Sequence, residues 1–357
     1  MKTISVTTNS KKYPIYVGEG ILTSKTFKEI KNRNIIVVAD KKPYELHKSS
    51  LRKALKNAKK VDYISLPFSE KNKTVSFAEK VCNKLLDIKA DRDVFIVVFG
   101  GGVAGDIVGF VASVYMRGVS FIHIPTTLVS QVDSSIGGKT GVNLLHAKNI
   151  FGTITQPEAV IIDTAMLNTL PPKQIKEGLA EVVKYGCANS KKLFTFLEKT
   201  EDISDKKNLQ KIVYESAVIK AKIVSEDERE SGLRETLNFG HTVAHALEIH
   251  TNHKISHGQA VAIGSAYEAA ISKELGYITE DEYAKILALL KKFKLPVRID
   301  CNVSEVIALM KTDKKNKNGE TMFVLLNGIG SVVVKKDTYS FPVENKIIRS
   351  VIRGKVS

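Results

Sequence analysis

Apolar positions along this chain come first in short runs and later in helical stripes. Residues 3–8 and 13–17 flank Asn9-Ser10-Lys11-Lys12 and predict a hairpin. Runs rich in β-branched and aromatic residues follow at 35–39, 62–66, 94–99, 120–124 and 159–163. Helical patterns lie between several of them; Val75, Ala78, Val81, Cys82 and Leu85 would share a helix face. Strands alternating with helices predict a largely parallel sheet. The pattern changes at Leu170-Pro171-Pro172. Beyond it, Ile175, Leu179, Val182 and Val183 stripe one amphipathic helix, and 208–225, 241–249, 258–275, 280–293 and 303–311 predict more. A late β-like pair, 321–326 and 331–335, flanks the turn signal Asn327-Gly-Ile-Gly. The expected architecture is an α/β domain over residues 1–170 and a mainly α-helical domain over 171–357, with a cleft between them.

Length and composition narrow the classes. A chain of 357 residues can build two domains with substantial cores. Three scattered cysteines, Cys82, Cys187 and Cys301, give no disulfide framework and fit a reducing cytoplasm. The first residues carry no apolar signal core, and no apolar run is long enough to span a bilayer, so no membrane partner is expected. The formal net charge of +16 invites a nucleic-acid reading. The lysines are spread along the chain, Trp is absent and no aromatic platform interleaves them. A solvated Lys-rich surface, with a few cations serving an anionic small substrate, accounts better for the charge, and no nucleic-acid partner is expected.

Gly100-Gly-Gly-Val-Ala-Gly105-Asp106 follows one predicted strand and opens a predicted helix. Gly100, Gly102 and Gly105 satisfy G-x-G-x-x-G, a Rossmann-like phosphate loop that brings backbone close to a pyrophosphate at a helix amino terminus. The loop follows a later strand rather than the first, and the acidic residue about twenty positions on is missing. Asp40, ending the 35–39 run, is a ribose-partner candidate from elsewhere in the chain. A second cluster, Ser134-Ser-Ile-Gly-Gly-Lys139-Thr140, resembles the end of a P-loop, but Asp133 stands where that loop needs glycine. ATPase chemistry is therefore disfavoured, while Lys139 and Lys148 remain able to meet an anion.

Five of the eight histidines lie within seventeen residues: His241, His245, His250, His253 and His257. His241 and His245 share one helical face, and His257 opens the next predicted helix. Thr242 occupies the glutamate position of H-E-x-x-H, which argues against a zincin protease. Two histidines and a carboxylate would make a three-ligand catalytic metal site with an open position. Glu248, seven residues from His241, and Glu181, on an otherwise apolar stretch, are both suitable, and spacing does not choose between them. Glu181 could equally pair with Lys184 at i+3. His250 and His253 read as loop residues.

These segments together closely resemble the 3-dehydroquinate synthase family. The resemblance is carried by Gly100–Phe110, Arg117-Gly118, Pro125 to Lys139, Lys148-Asn149, Gly178–Gly186, Asn238-Phe-Gly-His241 and His257-Gly258, in order over nearly the whole chain. It implies an NAD-binding amino-terminal domain, a helical metal- and substrate-binding domain, a homodimer, and conversion of a heptulosonate phosphate to 3-dehydroquinate. The implied metal ligands, for Zn²⁺ or Co²⁺, are Glu181, His241 and His257. The implied NAD contacts are Asp40, Glu70, Lys73, the loop Gly102, Val103, Ala104, Gly105 and Asp106, then Thr126, Thr127, Lys139, Lys148 and the stretch Met166, Leu167, Asn168 and Thr169. The implied substrate residues are Asp133, Lys139, Asn149, Lys184, Lys220, Arg234, Asn238 and His245, with Lys314 or Lys315. Arg117 would reach phosphate across the dimer interface. Departures from the family pattern are Ser69, Gly141 and the Leu144-Leu145-His146-Ala147 connection, all of which bear on loop geometry.

Two rival enzymes share parts of this plan. A sugar-phosphate cyclase of the amino-dehydroquinate, inosose or valiolone type would also use NAD and a metal. The residues at Lys220, Asn238, His245 and Lys314-Lys315 follow the dehydroquinate pattern instead. A metal-dependent polyol dehydrogenase would share the two domains but differ at Gly105-Asp106 and at Glu181, and it would accumulate NADH.

Overall fold

A computed structural model gives the fold; it describes residues 1–28, 30–145, 147–311, 316 and 320–354. The elements begin with β1 (Lys2–Thr7), β2 (Lys12–Gly18), β3 (Asn34–Asp40), α1 (Lys41–Ala54), β4 (Lys60–Leu66), α2 (Val75–Asp87), β5 (Phe95–Gly100) and α3 (Gly102–Val114). They continue with β6 (Ser120–Pro125), β7 (Lys139–Leu144), β8 (Ala147–Ile154), β9 (Ala159–Asp163), α4 (Pro172–Asn189), α5 (Lys191–Lys199) and α6 (Lys206–Glu226). The last are α7 (His241–His250), α8 (His257–Glu274), α9 (Glu280–Lys292), α10 (Val303–Met310), β10 (Met322–Phe323), β11 (Phe341–Pro342) and α11 (Asn345–Arg353).

The chain divides into two compact units. The first holds Met1–Pro171 together with Leu209–Ser225, so most of α6 belongs with the amino-terminal sheet rather than with its sequence neighbours. Its seven-stranded sheet has the order β1-β2-β9-β6-β5-β3-β4. Only β1 is antiparallel to its neighbour; the other pairings are parallel. β5 is buried along its whole length, as a central strand covered on both faces must be. One face packs Ile96, Val98 and Phe121 against Ile107, Val108 and Val111 of α3. The other packs Val37, Phe95, Val97, Ile122 and Ile161 with Leu51 and Ala54 of α1. The order reverses between β3 and β5: β4 lies beyond β3 on one side, and β6 beyond β5 on the other. The carboxyl ends of these strands flank such a switch point, where open α/β sheets bind ligands.

The second unit holds Pro172–Asn208 and Glu226–Ser357. α8 is its central element, buried almost continuously from Gly258 to Ser272, with α4, α7, α9 and α11 packed around it. An apolar helix of this kind needs small residues where neighbours approach. A Cβ on Gly264 would lie 2.0 Å from the Gly240 carbonyl, and one on Gly258 would lie 2.4 Å from the Glu177 Cα. The predicted late hairpin is reduced to an isolated Leu326–Val332 bridge, because Met322–Phe323 pairs with Phe341–Pro342 instead. The segment 139–154, to which the sequence reading assigned no strands, forms the β7–β8 hairpin. Gly141 and Gly152 face each other there, and a Cβ on Gly152 would fall 2.0 Å from the Thr140 carbonyl.

Candidate active site

The first unit gathers its predicted residues at the carboxyl ends of β3, β5 and β6. Asp40 ends β3 and stands beside Gly100, whose added Cβ would lie 3.2 Å from that of Asp40. An acidic side chain thus stands beside the glycine loop from the adjacent strand, although none lies downstream of it in sequence. Burial raises the Asp40 carboxyl above its ordinary range, against hydrogen bonds from Phe68, Lys42 and Lys41 amides. α3 begins at Gly102 with Gly101 as its cap, and no side chain caps it. Its first-turn amides therefore point where an anion would be held. The Thr126 amide donates to the Gly100 carbonyl at 2.9 Å, fixing Thr126 and Thr127 against the loop.

Lys73, only 4% exposed, joins three segments. Its Nζ donates to Asp106 Oδ2 at 2.5 Å and to Asn149 Oδ1. Burial raises the Asp106 carboxyl even with this cation beside it. Glu70 sits three residues away in the short helical turn Glu70–Asn72. Asn149 has a left-handed backbone, φ 54°. Lys139 opens β7 and is exposed; Lys148 lies in β8. Lys220 of α6, nearly buried, reaches Asp133 through Oδ1 at 2.5 Å and the backbone carbonyl at 2.8 Å. Met166 and Leu167 are buried in the turn Thr164–Thr169, whose Thr169 hydroxyl bonds His47 Nε2 at 2.8 Å. Arg117 is not brought to this group. It is exposed, with φ 67°, just before the amino end of β6, whereas the glycine loop caps carboxyl ends.

In the second unit, Glu181, His241 and His257 each offer a ligand atom within 4.8 Å of the others. His257 Nε2 lies 3.1 Å and His241 Nε2 3.8 Å from Glu181 Oε1. Ligands of a tetrahedral ion with bonds of about 2.1 Å stand about 3.4 Å apart, so the spacing suits one small divalent cation. Outer partners fix the rings. His241 Nδ1 meets the Phe239 carbonyl at 3.2 Å, leaving Nε2 to face inward. Glu248 Oε1 stands 3.7 Å from His257 Nδ1. Both carboxylates weighed from sequence thus meet His257, Glu181 on the inner nitrogen and Glu248 on the outer.

Glu181 is fully buried, and Lys184 Nζ stands 2.6 Å from its Oε2. The i+3 pair exists, but inside the protein, where it is an ion pair off the alignment of a hydrogen bond. Burial would raise the Glu181 carboxyl, but Lys184 and His257 outweigh it and hold it well below the carboxylate range. Burial would lower His257, but hydrogen bonds and charge from Glu181 and Glu248 raise it to about 10. His245 lies edge-on to His241, ring centroids 5.5 Å apart. Arg234 is 2% exposed and donates from Nη1 to the Glu228 carbonyl at 2.6 Å; Asn238 Nδ2 donates to Glu230 Oε1 at 2.9 Å. His250 pairs with Glu305, and His253 sits in a turn with φ 58°. Lys314 and Lys315 lie outside the described residues.

Two supporting carboxylates escaped the sequence reading. Glu268 of α8 is fully buried. Its Oε2 accepts from the Gly240 amide at 2.7 Å, and its Oε1 accepts from those of Thr242 and Val243 at 3.1 and 3.3 Å. It therefore anchors the start of α7, next to His241. The signal was a lone acid in the apolar run Ala262 to Ile271, the same signal that singled out Glu181. Asp227 accepts from the amides of Ser231, Gly232 and Arg234, shaping the turn that carries Arg234.

Comparison with known proteins places this arrangement. Residues 63–177 match the family model "3-dehydroquinate synthase N-terminal", and residues 178–316 match "3-dehydroquinate synthase C-terminal". A 3-dehydroquinate synthase of Thermoanaerobacter pseudethanolicus is 40% identical over 344 residues, 94% of this chain and 96% of that protein. Among solved structures, a 2-deoxy-scyllo-inosose synthase complexed with carbaglucose-6-phosphate, NAD⁺ and Co²⁺ superposes with a TM-score of 0.86 at 26% identity, covering 99% of both chains. The 2-epi-5-epi-valiolone synthase of Streptomyces hygroscopicus, with NAD⁺ and Zn²⁺ bound, gives 0.85 at 26% identity and 95% coverage of both. The chain belongs to the 3-dehydroquinate synthase family.

Proposed function

We propose that this protein is a carbon–oxygen lyase, a 3-dehydroquinate synthase that converts 3-deoxy-D-arabino-heptulosonate 7-phosphate to 3-dehydroquinate and phosphate. The observation that carries this reading is the Glu181, His241 and His257 cluster, with Lys184 beside it, in a chain 40% identical to a named 3-dehydroquinate synthase. The donors fit a divalent cation: one carboxylate and two imidazoles, at spacings near a tetrahedral edge, with outer partners on both rings. The uncapped start of α3 and the adjacent Asp40 fit a dinucleotide's pyrophosphate and ribose. When bound, NAD⁺ would take and later return a hydride at C5, and Zn²⁺ or Co²⁺ would polarise the neighbouring hydroxyls.

The protein's own groups handle orientation and protons. Glu181, His241 and His257 hold the cation; Glu70, Lys73, Gly102 to Asp106, Thr126, Thr127, Lys139, Lys148 and Met166 to Thr169 hold the dinucleotide. Lys139, Arg234 and Arg117 suit the phosphate and carboxylate of the substrate, arginine being able to bind either with two parallel bonds. Arg117, isolated at the far end of β6, is assigned to the active site of a second copy in a homodimer. Asp133, Asn149, Lys184, Lys220 and Asn238 orient the hydroxyls. His245 moves protons at those hydroxyls, a role that suits an imidazole near neutral pH. Oxidation at C5 acidifies the C6 proton, phosphate leaves by β-elimination, and reduction, ring opening and an intramolecular aldol complete the carbocycle. We assign the enzyme to the cytoplasm, where its cysteines stay reduced; Cys82, Cys187 and Cys301 are free, and no helix among the described residues is long and apolar enough to cross a membrane.

NAD accounting tests the reading. With NAD⁺ at one-tenth of the substrate concentration, phosphate release should run to completion while absorbance at 340 nm returns to baseline. NADH accumulating in step with turnover would identify a dehydrogenase instead.

A further inference from the structure

We propose that Asn143 is a positioning residue that locks the dinucleotide-binding Glu70–Lys73 segment to the substrate residue Asn149. The proposal rests on the roles assigned above to Glu70, Lys73 and Asn149, and gives Asn143 a role of its own.

Asn143 lies where the β7–β8 register breaks, between Val142, paired with Phe151, and Leu144, paired with Ala147. Between those pairs Asn143 alone faces three β8 residues, 148–150, so the extra residues of the bulge lie on β8. On its other edge Asn143 meets residues 70–74. The Asn143 amide donates to the Lys73 carbonyl at 2.8 Å, and Asn143 bridges Thr74 as a parallel neighbour. The side chain then reaches two ways. Its Nδ2 donates to Glu70 Oε1 at 3.0 Å, and its Oδ1 accepts from the Asn149 amide at 2.9 Å. An amide N–H can only donate, so Oδ1 must face Asn149, and Nδ2 must then face Glu70.

The second contact has a further consequence. Asn149 holds a left-handed backbone, which asparagine adopts more readily than most residues and which fixed hydrogen-bond constraints can hold in place. The Asn143 carbonyl is one such constraint, and the Lys73 ammonium on Asn149 Oδ1 is another. Lys73 also holds Asp106 in the glycine loop. Glu70, Asn143, Asn149, Lys73 and Asp106 thus form one connected set of polar contacts in which Asn143 supplies both a donor and an acceptor. Of the side chains close to its size, Asp keeps the acceptor and loses the donor, while Ala loses both.

That asymmetry gives the test. NAD⁺ dissociation constants are measured by calorimetry on Zn²⁺-loaded protein, and kcat and KM for the heptulosonate phosphate at saturating NAD⁺. Asn143→Ala should weaken NAD⁺ binding about tenfold and lower kcat/KM about tenfold, the effect of one net hydrogen bond at each end. Asn143→Asp sets a carboxylate against Glu70, so it should weaken NAD⁺ at least as much while kcat/KM stays within about twofold of wild type. In Glu70→Ala protein, adding Asn143→Ala should weaken NAD⁺ no further. A thermal melt checks that each variant is folded; should Asn143→Ala fail to fold, the split in Asn143→Asp decides. Wild-type NAD⁺ affinity in both Asn143 variants, with Glu70→Ala and Asn149→Ala impaired, overturns the proposal. Unchanged NAD⁺ affinity in Glu70→Ala overturns the cofactor role of Glu70, and the proposal with it.

Discussion

Removing the Glu268 carboxylate tests whether a buried charge holds the metal-bearing end of α7. Glu268 is fully buried and accepts from three amides at the start of α7, at 2.7, 3.1 and 3.3 Å. A buried carboxylate is costly to desolvate, but here it meets the amide donors and positive end of a helix dipole. Three bonds to a charged acceptor at ~1.5 kcal/mol each, with the helix-end attraction and less the burial cost of the charge, give a net loss of about 4 kcal/mol for Glu268→Ala. For a body of 150–250 residues that corresponds to a melting point lower by about 8–16 °C. Glu268→Gln keeps the shape, but turns an NH₂ toward one of the amides, and should lose about half as much. Melting is followed by circular dichroism with EDTA present, so that metal binding does not mask the change. Because His241 directly follows Gly240, Zn²⁺ affinity should also fall about tenfold in Glu268→Ala, the effect of about 1.4 kcal/mol of lost ligand positioning. A Glu268→Ala protein that melts within 2 °C of wild type and binds Zn²⁺ as tightly would refute the reasoning.

Further outcomes follow from other contacts. His257→Ala should stay folded but lose its zinc, because Ser256 and Gln259 still cap α8; elemental analysis after dialysis checks this, and retained stoichiometry would move the ligand elsewhere. Gly152→Ala puts a Cβ 2.0 Å from a backbone carbonyl that cannot rotate away, so the β7–β8 hairpin must part and thermal stability should fall by about 3 kcal/mol. Burial raises the Asp227 carboxyl, but the amides of Ser231, Arg234 and Gly232 overcome it and hold the pKa below the ordinary 3.8. A depressed acid stabilises above its unfolded pKa and ceases to as pH falls through its folded value. The stability gap between wild type and Asp227→Asn, measured by urea melts, should therefore be full at pH 7 and shrink below pH ~4; a gap that widens in acid would contradict the assignment.

The strands of the first unit were legible because β5 and its neighbours are buried on both faces, which demands continuous apolar runs. The β7–β8 hairpin was not, since it is set by the facing glycines Gly141 and Gly152 and by polar positions, which read locally as a loop. α1 carries no clear apolar stripe of its own, because only Tyr44, Leu51 and Ala54 of its fourteen residues are buried. The histidine cluster was legible as a metal signal from residue types, and Asp40 stands beside the glycine loop, the position that its place at the end of the 35–39 run suggested. The choice between Glu181 and Glu248 was not, because both acids approach one imidazole from opposite nitrogens, and only three-dimensional packing of α4, α7 and α8 distinguishes inner from outer. Supports such as Glu268 act through backbone amides, which leave no pairing pattern in sequence.

Identifying the product decides whether this enzyme is a 3-dehydroquinate synthase. Purified protein with Zn²⁺, catalytic NAD⁺ and 3-deoxy-D-arabino-heptulosonate 7-phosphate is followed by NMR and phosphate assay. One 3-dehydroquinate should form for each phosphate released, and glucose 6-phosphate should not be cyclised. Metal-loaded, folded protein that leaves the heptulosonate phosphate intact, or that cyclises glucose 6-phosphate instead, would contradict the assignment.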